Sequence, residues 1–219
     1  MHLLFDLDGT LTDPQEGCVK SLNYALAKFG LPTRDPASLV QFIGPSLNVA
    51  FRVLLETEDA ATLAQAVVWF RERYFVEGWL ENVVYAGIPA LLPACRDAGH
   101  QLWVATSKRQ DIAERVLTHF GLLPHFTAVY GCEVEVPKTA LLAILLREQG
   151  LTPEQCVMIG DRRYDVEAGR ANGITTIGVL WGYGAREELI AAGADHLIAT
   201  PADLLPLVHH LSVSEMTAR

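Results

Sequence analysis

The stretch that decides the fold is HLLFDLDGTLTD, residues 2–13, in which an apolar run ends in two alternate acids and a glycine. The apolar residues 2–5 predict a short strand. The two-residue period of a strand places the side chains of Asp6 and Asp8 on the same side of the backbone. Gly9 permits a sharp turn and a close approach of the backbone to a ligand. Taken alone, the pattern fits either a reactive site or a strand that ends in a solvated turn.

The composition is typical of one folded core domain with a modest insertion. The chain has 219 residues, half of them hydrophobic and a fifth charged, so a sizeable core can form. The formal net charge of −9 argues against non-specific binding to nucleic acids or to anionic membranes. No apolar stretch is long enough to span a bilayer, and the four cysteines are scattered without metal-binding spacing. We therefore expect a cytoplasmic protein with reduced thiols.

The first third of the chain has a helical pattern. From about Gln15 to Leu80, apolar residues recur at helical spacing, and no segment resembles a strand. Gly44-Pro45 separates two shorter helical stretches, predicted at 38–43 and 47–56. Two longer apolar stripes flank them, the first made of Val19, Leu22, Leu26 and Phe29 and the second of Leu63, Val67, Phe70 and Tyr74.

From Val83 onward, short apolar strands alternate with helices, which predicts a parallel sheet covered on both faces. The fold class is therefore α/β: a doubly wound, Rossmann-like parallel-sheet core with an inserted α-helical cap domain. We expect the core at 1–14 and 83–211, the cap at 15–82 and a flexible tail at 212–219. The predicted strands are 102–106, 128–130, 157–160 and 175–180, and the predicted helices are 88–98, 111–120, 139–149, 165–172 and 186–192.

Chemically useful groups follow other elements of this predicted core. In open parallel sheets, reactive groups gather beyond the carboxyl ends of the strands. Each group alone also has a structural explanation: a helix cap, a solvated lysine, or an ion pair with Arg162 or Arg163. Their joint order along the chain indicates one site, which contains Thr106-Ser107-Lys108, Lys138, and Asp161 with Asp165 four residues later.

Residues 6–10, Thr106-Ser107, Lys138 and Gly160–Asp165 together resemble the four signature motifs of the haloacid dehalogenase superfamily. The resemblance covers essentially the whole chain, because the helical insertion directly follows the first motif, as in members with a small helical cap. The stretches Asp161–Gly173 and Gly178–Gly184 resemble the phosphoglycolate phosphatase-like branch in particular. An acid at position 8 favours phosphate chemistry, because the dehalogenases of this superfamily lack it.

The resemblance implies a role for each matching residue. Asp6 would attack phosphorus and form an aspartyl-phosphate, and Asp8 would act as general acid and base. Thr106 and Lys138 would hold the phosphoryl group, together with the substrate-binding residues Gly9, Ser107 and Lys108. A Mg²⁺ cofactor would be bound by Asp6, the backbone carbonyl of Asp8, Asp161 and Asp165.

Several alternatives stay open at this point. The leading prediction is a phosphomonoesterase acting on a small phosphorylated metabolite such as phosphoglycolate, with neither nucleic acid nor membrane as a partner. A 5′-nucleotidase or a sugar-phosphate mutase would use the same residues, whereas a non-catalytic binding protein is disfavoured by the intact acids. We expect cap residues near the junctions and the Gly44-Pro45 loop to set substrate preference. The Trp181–Gly184 loop either borders the site or simply turns the chain, and the sequence does not indicate the oligomeric state.

Overall fold

A computed structural model describes residues 1–132 and 136–217, with the backbone alone described for 213–217. The chain forms two compact units. One comprises Met1–Leu11 and the chain from Val84 onward, and the other comprises Thr12–Val83. None of the described helices is both long enough and apolar enough to cross a bilayer.

The first unit is built on a parallel sheet with the spatial order β5-β4-β1-β6-β7-β8, in which every neighbouring pair is parallel. Strand β1 lies inside the sheet, and the chain adds strands first on one side of it and then on the other. This arrangement confirms the predicted doubly wound α/β core. In chain order the strands are β1 (His2–Phe5), β2 (Thr12–Asp13), β3 (Val83–Val84), β4 (Gln101–Ala105), β5 (Ala128–Tyr130), β6 (Cys156–Gly160), β7 (Thr175–Val179) and β8 (His196–Ile198), with β2 paired to β3.

The longer elements of the Thr12–Val83 unit are helices. Its helices are α1 (Gln15–Lys28), α2 (Pro36–Leu39), α3 (Leu47–Leu55) and α4 (Ala60–Arg73). A 3₁₀ turn at Val40–Phe42 follows α2, and a π-helical turn at Tyr74–Gly78 follows α4. The residues of the two predicted apolar stripes are buried, except for Phe29 and Val67, which are half-buried. Side-chain oxygens of Asp35, Ser46 and Asp59 accept backbone N–H groups at the starts of α2, α3 and α4, which satisfies donors that a helix cannot pair internally.

In the described part of the chain, the helices that accompany the parallel sheet are α5 (Ile88–Asp97), α6 (Gln110–His119), α7 (Lys138–Gln149), α8 (Arg163–Ala171), α9 (Arg186–Ala192) and α10 (Leu204–Thr217). The central strands β1 and β6 are buried along almost their whole length, as expected for a parallel sheet covered on both faces. Strand β8 was not predicted: only two of its three residues are apolar, whereas all three residues of the equally short β5 are hydrophobic. Helix α10 continues to Thr217, into the segment 212–219 predicted as a flexible tail. Residues 218 and 219 lie outside the described part of the chain.

Gly17 shows how closely backbones approach inside the helical unit. A Cβ at this position of α1 would lie 1.9 Å from the carbonyl oxygen of Gly78. In an open helix, replacing glycine by alanine stabilises by up to about 1 kcal/mol. Here we expect Gly17→Ala to lower the free energy of unfolding by about 1–3 kcal/mol, because the backbone must shift. Chemical denaturation measures the change, and equal or higher stability of the variant would contradict the contact.

Candidate active site

The ends of three neighbouring strands supply the central residues. Phe5 in β1 is in register with Val104 of β4 and Ile159 of β6, so all three strands end at the same edge of the sheet. Asp6, Thr106 and Asp161 are the residues just beyond these strands. The backbone N–H of Asp6 donates to the carbonyl oxygen of Ile159 at 2.9 Å. The position of Asp6 is therefore set by the hydrogen bonding of the sheet itself.

Lys138, the first residue of α7, joins two of the predicted acids. Its Nζ lies 2.8 Å from Oδ1 of Asp6 and also donates to Oδ1 of Asp165. All three side chains are buried. The structure therefore places Lys138 in the interior, not on a solvated surface. Asp165 also accepts from the backbone N–H of Arg162 at 3.0 Å, which holds its carboxylate at the start of α8.

The carboxylate of Asp161 is held through both of its oxygens. Oδ1 accepts from Oγ1 of Thr10 at 3.2 Å, and Oδ2 accepts from the backbone N–H of Tyr183 at 2.8 Å. Nε1 of Trp181 in turn donates to the carbonyl oxygen of Thr10 at 3.0 Å. The Trp181–Gly184 loop therefore borders the site. The sequence left this question open, and it gave no sign that the buried Thr10 contacts an acid 151 positions away.

Glycines surround Asp161 and Asp165 where a larger residue could not fit. Gly9 has a φ of +88°, and a Cβ there would lie 2.2 Å from Oδ2 of Asp161. A Cβ at Gly182 would lie 2.3 Å from the carbonyl oxygen of Gly9, and one at Gly160 would lie 2.2 Å from Cγ of Asp165. The role of Gly9 is therefore steric: it lets the loop after β1 pass directly over a carboxylate.

Asp8 lies beside this group but has a different partner. Its Oδ2 is 2.5 Å from Nζ of Lys108, and its Oδ1 is buried without a hydrogen-bond partner among the described residues. Burial raises the pKa of the Asp8 carboxyl, and the negative charge of Asp6 adds to the rise, while Lys108 opposes it. A carboxyl with a raised pKa can retain a proton for transfer.

The Thr106-Ser107-Lys108 turn follows β4. Thr106 is buried, its N–H donates to the carbonyl oxygen of Tyr130 at 2.9 Å, and its Oγ1 accepts from the N–H of Lys108 at 3.2 Å. Ser107 is exposed. Helix α6 begins only at Gln110 and has no side-chain cap, so Thr106 does not serve as the N-cap considered from the sequence.

Burial and mutual repulsion dominate the electrostatics of the acids. Burial raises the pKa of Asp161 to about 8, helped by the nearby carboxylates of Asp165 and Asp6. Burial likewise raises the pKa of Asp165 to about 6, although Lys138 opposes this rise. Burial would lower the pKa of Lys138, but the carboxylates of Asp165 and Asp6 outweigh it and hold that pKa above its ordinary value.

The same acids fit a metal ion. One carboxylate oxygen from each of Asp6, Asp161 and Asp165 can be chosen so that all three lie within 4.8 Å of one another. Three carboxylates face the single ammonium of Lys138, so the ionised group carries excess negative charge in a buried place. An all-oxygen donor set with this excess charge suits a hard divalent cation such as Mg²⁺. Asp8 contributes no carboxylate to this set, and its expected contribution is its backbone carbonyl.

Comparisons with known proteins agree with this geometry. Residues 3–179 match the family model of haloacid dehalogenase-like hydrolases. A 5′-nucleotidase of Pseudomonas aeruginosa is 43% identical over 206 residues, which cover 93% of each chain. Tyrosine-protein kinase PtkA of Mycobacterium tuberculosis is 39% identical over 185 residues, 83% of this chain and 62% of that one. A phosphoglycolate phosphatase of Yersinia pseudotuberculosis is 30% identical over 211 residues, 93% of this chain and 91% of that one.

A solved structure is similar to nearly the whole chain. The crystal structure of a predicted phosphatase from Clostridium acetobutylicum superposes with a TM-score of 0.91 at 36% identity, covering 95% of this chain and 98% of that one. The chain therefore belongs to the haloacid dehalogenase-like hydrolase family. The predicted enzyme class, a phosphatase of this superfamily, is confirmed by the family match together with these phosphatase relatives.

The hydroxyl of Thr10 gives a test of the metal site. Thr10→Val removes the donor to Asp161 while keeping the shape of the side chain. Loss of a group that orients a metal ligand typically weakens metal binding 10–100-fold, so we expect the Kd for Mg²⁺ to rise by roughly tenfold. Isothermal titration calorimetry measures it. Thr176→Val, which removes the buried hydroxyl bonded to Asp195, is the matched control and should leave the Kd unchanged. Equal affinities in all three proteins would refute this role.

The raised pKa values give a pH dependence. In the unfolded chain an aspartate titrates near pH 4, below the values of about 8 and about 6 for Asp161 and Asp165. The metal-free folded state therefore binds more protons, and its stability falls as the pH rises from about 4 to about 8. Because Mg²⁺ requires the deprotonated acids, a fixed Mg²⁺ concentration should raise the Tm more at pH 8 than at pH 6. Thermal unfolding with Mg²⁺ and with EDTA measures the difference; an equal increment at both pH values would count against it.

Proposed function

We propose that this protein is a Mg²⁺-dependent phosphomonoesterase that hydrolyses a small phosphorylated metabolite through an aspartyl-phosphate intermediate. The observation that carries the proposal is the buried group of Asp6, Asp161, Asp165 and Lys138 beyond the ends of the central strands, with Asp8 beside it. The excess of buried carboxylates is difficult to explain by stability alone, because an unpaired buried charge costs free energy.

In this mechanism Asp6 is the nucleophile. A carboxylate oxygen of Asp6 forms the bond to phosphorus as the bond from phosphorus to the leaving oxygen breaks. The ammonium of Lys138, 2.8 Å from Oδ1 of Asp6, offsets part of the negative charge that the phosphate adds. When bound to Asp6, Asp161, Asp165 and the carbonyl of Asp8, Mg²⁺ would supply the remaining charge neutralisation between two anions. Thr106, Ser107 and Gly9 border the place where the phosphoryl oxygens would lie.

Asp8 acts twice as the proton carrier. In the first step its carboxylic proton passes to the leaving oxygen, which departs as an alcohol. In the second step the resulting carboxylate takes a proton from the water that attacks the aspartyl-phosphate, which releases phosphate and restores Asp6. Burial raises the pKa of Asp8, and this supports its presence in the protonated form before the first step.

Similarity to the relatives guides the choice of substrate. The chain is 43% identical to the 5′-nucleotidase and 30% identical to the phosphoglycolate phosphatase, each over nearly the whole chain. We therefore place nucleoside 5′-monophosphates ahead of phosphoglycolate as the first substrates to test, which reverses the order expected from the sequence. On the scattered cysteine pattern we also place the enzyme in the cytoplasm.

Hydrolysis of p-nitrophenyl phosphate tests the reaction class. The wild-type protein should release phosphate with Mg²⁺ present and lose this activity with EDTA. Asp6→Asn should lower kcat by roughly a thousandfold or more, because the nucleophile is removed. Asp97→Asn makes the same change at an exposed position at the end of α5 and should keep full activity. A wild-type protein that hydrolyses no phosphomonoester would overturn the proposal.

A substrate panel then separates the candidates within this class. We would compare kcat/KM for nucleoside 5′-monophosphates, phosphoglycolate and a tyrosine-phosphorylated peptide in the same buffer. The proposed order predicts the highest value for a nucleoside monophosphate. A higher value for phosphoglycolate would restore the order expected from the sequence. A higher value for the peptide would overturn the assignment to small metabolites.

A further inference from the structure

The contact between Lys108 and Asp8 is a shielded ion pair inside the site, as are the contacts of Lys138 with Asp6 and Asp165. Its Nζ–Oδ2 distance is 2.5 Å, and the two side chains are only 8% and 18% exposed. Most of the other ion pairs have at least one partner that is far more exposed. An ion pair shielded from water in this way holds its partners more firmly than a surface pair.

The backbone of Lys108 is held on both sides. Its N–H donates to Oγ1 of Thr106 at 3.2 Å, and its carbonyl oxygen accepts from the N–H of Cys132 at 3.0 Å. A Cβ at Gly131 would lie 2.7 Å from that carbonyl oxygen, so glycine makes the approach of the two loops possible. The turns after β4 and β5 therefore present the Lys108 ammonium to Asp8 from a fixed position.

The two carboxylate oxygens of Asp8 have different environments. Oδ1 is buried and has no hydrogen-bond partner among the described residues, whereas Oδ2 accepts from Lys108. A buried polar atom without a partner costs free energy, and such atoms often mark the place of a ligand. The two oxygens of one carboxylate are thus distinguished, one anchored and one available.

We propose that Lys108 is a positioning residue that holds Asp8 by Oδ2 and so directs Oδ1 toward the leaving oxygen of the substrate. This inference rests on the proposed phosphatase function and differs from the phosphate-binding role expected of Lys108 from the sequence. As the bond from phosphorus to the leaving oxygen breaks, the proton on Oδ1 passes to that oxygen. The carboxylate that remains is then balanced by the ammonium beside Oδ2. Lys108 itself gives up no proton and forms no bond to phosphorus.

Substrates whose leaving groups differ in acidity distinguish a positioning role of Lys108 from a phosphate-binding role. A nitrophenolate leaves without a proton, whereas the alkoxide of a nucleoside or a sugar requires one. In Lys108→Met, a misplaced Asp8 should therefore slow alkyl phosphates far more than p-nitrophenyl phosphate. The comparison uses kcat/KM, which reports the steps up to departure of the leaving group and not the later hydrolysis of the aspartyl-phosphate that both substrates share. General acid catalysis contributes typically 10²–10⁴-fold, so we expect kcat/KM to fall by roughly thirtyfold or more for an alkyl phosphate. For p-nitrophenyl phosphate we expect a fall of about threefold or less.

Two further variants complete the experiment. Lys108→Arg keeps a cation at this position and should restore part of the kcat/KM for the alkyl phosphate. Lys28→Met makes the same substitution as Lys108→Met at an exposed lysine, 3.5 Å from Glu72. It should leave kcat/KM unchanged for both substrates. Thermal unfolding and Mg²⁺ titration of each variant show whether the protein is folded and binds metal.

The outcomes distinguish the inference from the proposed function. Equal losses of kcat/KM for both substrates in a folded Lys108→Met protein would overturn the inference, because a general structural defect acts on both. A rise in KM for both substrates at unchanged kcat would also overturn it and return Lys108 to phosphate binding. In either case the phosphatase function would stand. A wild-type protein that hydrolyses neither substrate would overturn both proposals.

Discussion

The ammonium of Lys138 contacts the carboxylates of Asp6 and Asp165, and the arrangement of the whole site depends on this shared cation. Without it, the acids gathered at the strand ends would repel one another in a place where water cannot screen them. With it, the acids still outnumber the cation. One lysine therefore holds the site together, but the carboxylates still exceed the positive charge. Burial, together with repulsion from neighbouring carboxylates, raises the pKa values of Asp161 and Asp165 in the metal-free protein.

The geometry of the parallel sheet brings these groups together. Strand β1 lies between β4 and β6, and its register places Asp6 between the loops that carry Thr106 and Asp161. The sequence order of these residues spans most of the chain, but their positions follow from three neighbouring strands that end at one edge. Asp8, the proposed proton carrier, is two residues beyond Asp6, the proposed nucleophile, on the same loop. The buried core of the first unit thus positions the proposed nucleophile, the proposed proton carrier and the Thr106-Ser107-Lys108 turn.

The sequence predicts the parallel core, its central strands and the acids of the site, because these appear as local patterns: apolar runs that end in polar residues. It does not predict β8, in which only two of the three residues are apolar. It also does not predict that Thr10 donates to Asp161 or that Lys108 contacts Asp8, since these contacts join residues 151 and 100 positions apart. Lys108 shows the difference most clearly: its residue type suggested phosphate binding, and only the folded structure reveals its carboxylate partner.

The loop Trp181–Gly184 has a consequence for protein engineering. A Cβ at Gly184 would lie 1.9 Å from the carbonyl oxygen of Asp161, and one at Gly182 would overlap both Asp161 and Gly9. Side chains at these two positions would displace Asp161, a proposed metal ligand. A mutagenesis library designed to change specificity should therefore keep both glycines and randomise other positions. The loop that looks simplest to vary, because it contains two glycines, is among the least tolerant parts of the molecule.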